Sequence, residues 1–107
     1  MKNPATFLLK FRNDVFKLLP MKENADKGKN NHLCDYVHSL VITAEGAVTT
    51  YSELESQKTY IYVVNNLNYL LTHPTMDFST WRKTILNCTR SLDDLKIKFS
   101  GGVAEDE

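Results

Sequence analysis

Two side chains able to ligate a metal, Cys34 and His38, stand four residues apart in Cys34-Asp35-Tyr36-Val37-His38. On a helix that spacing puts thiolate and imidazole on one face, and His32, His73 or Cys88 would have to complete a site. The pair also borders the apolar stripe Leu33, Val37, Leu40, where a core-edge thiol and a partly buried imidazole serve packing alone, so no metal is expected. Cys88 falls within a second stripe and acts there as a small hydrophobe. Glu53 and Glu55 are two residues apart, diverge on a helix, and read as helix-start charges. The chain contains no GxSxG, no glycine-rich phosphate loop and no HExxH. With no nucleophile beside a base and no paired carboxylates, the residues predict neither an enzyme nor a cofactor.

Val37-His38-Ser39-Leu40 is similar to the histidine site of histidine-containing phosphotransfer domains, which are also four-helix bundles. The match is confined to these residues. The Lys-Gly that follows the histidine in that family is replaced here by Val41 and Ile42, whose bulk would crowd a response regulator approaching His38. Phosphotransfer is therefore not adopted.

Recognition chemistry is better represented. Arg82, Lys83 and Arg90 fall on the outward side of a C-terminal helix, yet Asp93 and Asp94 share that surface, and Arg90 and Asp94 are spaced for an ion pair. The basic stretch Lys22 to Lys29 is the other candidate for a nucleic-acid contact, the alternative reading being a small DNA- or RNA-binding regulator. Between Lys58 and Asp77 there is no Asp, Glu, Lys or Arg. If Tyr60, Val64, Leu67 and Leu71 face a core, then Tyr62, Asn65, Asn66 and Tyr69 point outward. Exposed helix faces ordinarily carry Glu and Lys, whereas protein-binding surfaces gain tyrosine and lose charge. These four residues are the expected partner-binding site.

The elements that must position them follow from periodicity. Phe78, Trp81, Ile85, Cys88, Leu92, Leu95 and Phe99 recur at alternating steps of three and four, placing them on one side of a helix that the other elements pack against. Asp77 caps it, with Met76 and Trp81 spaced as a hydrophobic staple, and Ser100-Gly101-Gly102 is expected to end it. A first helix is predicted from Pro4 to Leu19 with Asn3 as cap; its apolar face is Phe7, Leu8, Phe11, Val15, Leu18 and Leu19, and Pro20 is expected to stop it. Lys22 to Asn31 reads as a loop. Asn31 is the expected cap of a second helix beginning near His32. Its end is ambiguous, since Leu40–Thr43 and Ala47–Tyr51 around Gly46 could instead form a hairpin. Capping signals at Thr50–Glu53 and Ser52–Glu55 open a third helix that ends at Thr72, before His73-Pro74, with Tyr60, Val63, Val64, Leu67 and Leu71 as its buried stripe.

The fold predicted is all-α, a small antiparallel four-helix bundle over residues 1–100, with 101–107 a flexible acidic tail; α+β with a short hairpin near Gly46 is the alternative. A chain of 107 residues supports one core without staples. Its 13 basic and 13 acidic residues balance, which argues against binding nucleic acid or membrane by bulk charge. Two distant cysteines fit free thiols in a reducing compartment. The apolar run at Phe7–Leu9 is cut by Lys10 and Arg12, too short for a signal-peptide core or a membrane span, so a soluble cytoplasmic protein is expected. Ten lysines to three arginines, with abundant asparagine, hint at an AT-rich bacterial or phage genome. The function expected is a non-enzymatic protein-binding domain, such as an inhibitor, immunity protein, antitoxin or adaptor. Leu9, Phe16, Leu86 and Ile97 lie off the main stripes and could bury one another across a homodimer.

Overall fold

The computed structural model describes residues 3–28 and 32–105, with side chains through Ser100. Among the described residues, five α-helices and a short 3-10 helix make an all-α bundle: α1 (Ala5–Phe16), α2 (Leu18–Asp26), α3 (Leu33–Thr50), the 3-10 turn Ser52–Ser56, α4 (Lys58–Thr72) and α5 (Phe78–Glu105). No strand occurs among the described residues. The body measures 50 × 22 × 19 Å, its length set by α5, which at ~1.5 Å per residue is itself about 42 Å long.

α5 is the rod that its periodicity predicts. Trp81, Ile85, Cys88, Leu92 and Leu95 are buried, while Phe78 and Phe99 at its two ends are half-buried. Each such Leu or Ile removed from water contributes about 1.5–3 kcal/mol. α1 covers α5 most extensively, through Leu8, Phe11 and Val15. Asn3 meets Phe99 and Arg12 meets Asp93, so these two helices run in opposite directions. The Oδ1 of Asn3 accepts the N–H of Ala5 at 2.8 Å. Asp77 caps α5 as predicted, accepting the Thr80 N–H at 3.0 Å and its hydroxyl at 2.9 Å. Those bonds hold the Asp77 carboxyl below its ordinary value.

The first helix departs from expectation. It ends at Phe16 rather than Leu19, and Pro20 sits inside α2 rather than terminating a helix. The reason lies one turn upstream: Pro20 has no N–H to donate to Phe16, and its ring collides with that carbonyl, so the ladder fails at Phe16–Lys17. Pro20 then falls in the first turn of α2, where amides need no intrahelical partner. The predicted loop from Lys22 is correspondingly helical as far as Asp26. Gly28, at φ +74°, closes α2, donating its N–H to Ala25 at 3.0 Å, a left-handed geometry that glycine adopts without strain.

The consequence is a buried lysine. Lys22 is only 1% exposed. Its Nζ donates to Asp26 Oδ1 at 2.8 Å and to the Pro74 carbonyl at 3.0 Å, and lies 5.2 Å from the centroid of the Trp81 ring. The Trp81 Nε1–H donates to the His73 carbonyl at 3.2 Å. Two side chains thus bind the α4–α5 connection to α2 and to the start of α5.

α3 is continuous through Gly46, so the hairpin alternative is overturned. Val37, Leu40, Val41, Ala44 and Ala47 are buried along one stripe, and helical periodicity outweighs the strand propensity of its last turn. The expected Asn31 cap lies outside the described residues. The third predicted helix is split. Ser52–Ser56 forms the 3-10 turn that buries Leu54, Gln57 is extended, and α4 starts at Lys58. The helical backbone of α5 also runs past Gly101 and Gly102 to Glu105. Glycine lowers helix propensity by about 1 kcal/mol without forbidding the conformation.

A Cβ on Gly46 would meet nothing within 4 Å. Gly46→Ala is therefore expected to stabilise the fold by about 0.5–1 kcal/mol in urea unfolding, whereas a turn at this position would make it destabilising. Lys22→Met keeps the stem but strips the Pro74 carbonyl of its donor; it is expected to cost about 1–3 kcal/mol by the same measurement.

Candidate partner-binding face

α4 lies between α3 and α5 and packs against both. Its fully buried residues are Tyr60, Val63, Leu67 and Leu70, with Val64 and Leu71 half-buried. Val64 and Leu71 were expected inside and Leu70 was not; contact with two neighbours turns the buried arc toward Val63 and Leu70. The Tyr60 hydroxyl donates to the Ala44 carbonyl of α3 at 2.6 Å. Burial raises its pKa, which keeps it a neutral donor.

The outward arc is then Ile61, Tyr62, Asn65 and Tyr69. Tyr62 is 44% exposed, Ile61 45% and Tyr69 47%; Asn65 is exposed as well. Three of the four predicted residues share this face. Asn66 does not: it is half-buried at the edge of the arc, and its Nδ2 donates to the Tyr62 carbonyl at 2.7 Å. Ile61 takes the place assigned to it. Val63 is buried as its place in the predicted stripe requires; Ile61 was legible as outward only if Leu70, rather than Val64 and Leu71, joined it at the centre of the buried side.

Like Asn66, two further polar side chains of α4 turn back on their own helix. Asn68 Nδ2 donates to the Val64 carbonyl at 3.3 Å, and Thr72 Oγ1 donates to Asn68 and Tyr69 carbonyls at 3.2 and 3.1 Å. His73 stacks on Tyr69 with ring centroids 4.1 Å apart, and its Nδ1 is 2.8 Å from the Tyr69 carbonyl. A carbonyl only accepts, so Nδ1 carries the proton of that bond. Asn65 and the hydroxyls of Tyr62 and Tyr69 make no hydrogen bond among the described residues, and stay available beside the apolar surface of Ile61 and the two rings.

The other candidates fare differently. Cys34 and His38 are both exposed rather than at the core edge. Among the described residues no group of three or more His, Cys, Asp or Glu side chains could hold a metal. Cys88 is buried, which pushes its thiol up to about 12 and leaves it protonated. Arg82, Lys83 and Arg90 are exposed on α5 as expected, but Arg90 forms no ion pair with Asp94. Asp93 instead pairs with Arg12 of α1, at 3.3 Å from Nε, and the Arg12 guanidinium lies 5.4 Å from the Phe16 ring centroid. Leu9, Phe16 and Ile97 are exposed and Leu86 is half-buried. With Lys22 internal, the basic stretch before residue 29 has one fewer cation to offer phosphate.

No helix among the described residues is long and apolar enough to cross a membrane. Comparison of the chain with protein-family models, curated proteins and solved structures finds no match.

Proposed function

We propose that the protein is a non-enzymatic binding domain that occludes or bridges a protein partner through the outward face of α4, as an inhibitor, immunity protein, antitoxin or adaptor would. The observation that carries this reading is the face itself: Ile61, Tyr62 and Tyr69 exposed together, in a stretch without a charge between Lys58 and Asp77. A helix that met only water would gain solubility from Lys or Glu at these positions at little structural cost. Tyrosine suits an interface because it adds large contact area and a hydrogen-bonding tip while few rotamers are frozen on binding. The stacked Tyr69 reduces that ordering cost further.

Burial of two tyrosine rings against a partner typically places them among the few residues that dominate affinity. Replacing Tyr62 and Tyr69 together with Lys is expected to weaken capture of the native partner at least ~100-fold, since each such anchor is worth about 2 kcal/mol or more. Helicity should be unchanged, because both positions face outward. Affinity purification from the source cell with the wild-type chain and the double variant reads this directly. Equal recovery of the partner by both would refute the surface; recovery of nucleic acid that salt removes would support the regulator instead.

A further inference from the structure

Beside this face, α3, the 3-10 turn and α4 enclose a cleft of about 170 Å³. Ala44, Leu54 and Tyr60, all buried, form its floor, and half-buried Val48 and Val64 form its walls. Its rim holds Ile61 and Asn65, which also belong to the outward arc of α4, so cleft and face are one continuous surface. Two exposed acidic residues, Glu45 and Glu55, complete the lining.

The size and charge of the cleft select its occupant. Sites for whole small molecules run to roughly 300–1,000 Å³, so this one suits a single side chain. Asp14, Asp26 and Asp93 each have a cation in contact. Glu45 and Glu55 have no ion pair or hydrogen bond among the described residues, and neither Lys58 nor Lys98, the cations flanking α4 and α5 at this end, lines the cleft; Lys98 donates to Gln57 instead, at 2.8 Å. An apolar slot with an unneutralised acidic rim complements an apolar side chain flanked by lysine or arginine, whose aliphatic stems can lie on the walls while their heads reach the carboxylates.

We infer that the cleft receives an apolar anchor residue from a basic segment of the partner protein, with the flanking cations held by Glu45 and Glu55. The inference rests on the protein-binding reading of α4 and names the chemistry of what binds there.

The test is selection of a displayed library of random peptides on the full chain. Peptides recovered on the wild type should combine Leu, Ile, Met or Phe with neighbouring Lys or Arg. Their affinity should fall about threefold to tenfold in Glu45→Gln/Glu55→Gln, the loss of two exposed ion pairs, and be abolished in Val48→Trp, which fills the slot. Glu45→Lys/Glu55→Lys should redirect selection to peptides with Asp or Glu beside the anchor. Circular dichroism of each variant verifies the fold; should Val48→Trp unfold, the two rim variants decide alone. An empty selection, no basic enrichment, or affinity indifferent to the rim variants overturns the inference. The same variants applied to capture of the native partner separate the two claims. Loss with Tyr62→Lys/Tyr69→Lys but not with the rim or cleft variants leaves the α4 face standing and removes the cleft; no loss with any of them removes the binding reading as well.

Discussion

Burial of Trp81 with Lys22 against its ring is the constraint on which the arrangement of helices depends. An indole in the interior needs an acceptor for its N–H, and the His73 carbonyl supplies it. A lysine at 1% exposure needs its charge met, and Asp26 and the Pro74 carbonyl meet it. Both requirements converge on the carbonyls of residues 73–74, just past the end of α4. The connection between α4 and α5 is thereby tied to α2 on one side and to α5 on the other. A simple apolar contact would permit the helices to slide; these directional bonds do not.

That fixed end determines how α4 is presented. Its C-terminal end is tied at the 73–74 carbonyls and its N-terminal turn by the Tyr60 hydroxyl on Ala44, an orientation that leaves Ile61 and the two tyrosines outward. Asn66, Asn68 and Thr72 are satisfied on carbonyls of α4 itself, and the outward arc offers rings, one branched aliphatic chain and the unbonded amide of Asn65. The cleft lies between α3 and α4 beside Leu54. In the proposed binding role, a surface held in this way would lose little entropy on association.

The sequence foretells elements whose stabilisation is local and periodic. The Trp81–Leu95 stripe, the Asp77 cap and the Phe11–Val15 face were all legible, because amphipathic spacing and capping chemistry act within a few residues. Pro20 was misplaced since proline disrupts a helix at the carbonyl four residues before it, so the same residue serves equally as a stop and as a first-turn residue. Lys22 was read as part of a solvated loop. Nothing within ten residues of it signals burial, because the groups that receive its charge include a carbonyl at Pro74 and a ring at Trp81. The α4 face was legible as an absence of charge, which identified Tyr62, Asn65 and Tyr69. Its exact centre was not, since two neighbouring helices set the rotation and moved Asn66 to the edge and Ile61 into view. The cleft was invisible, being assembled from α3, the 3-10 turn and α4 together.

The most direct test of the claim that α4 presents a protein-binding surface is site-specific photo-crosslinking in the source cell, with a benzophenone amino acid at Asn65 and, as the control, at Lys83 on the exposed side of α5. Both positions face outward and tolerate a large side chain. A protein-binding α4 face gives one discrete protein adduct from Asn65 and none of that mass from Lys83. Equal adducts from both positions, or an adduct with nucleic acid from Lys83 and none from Asn65, would contradict it.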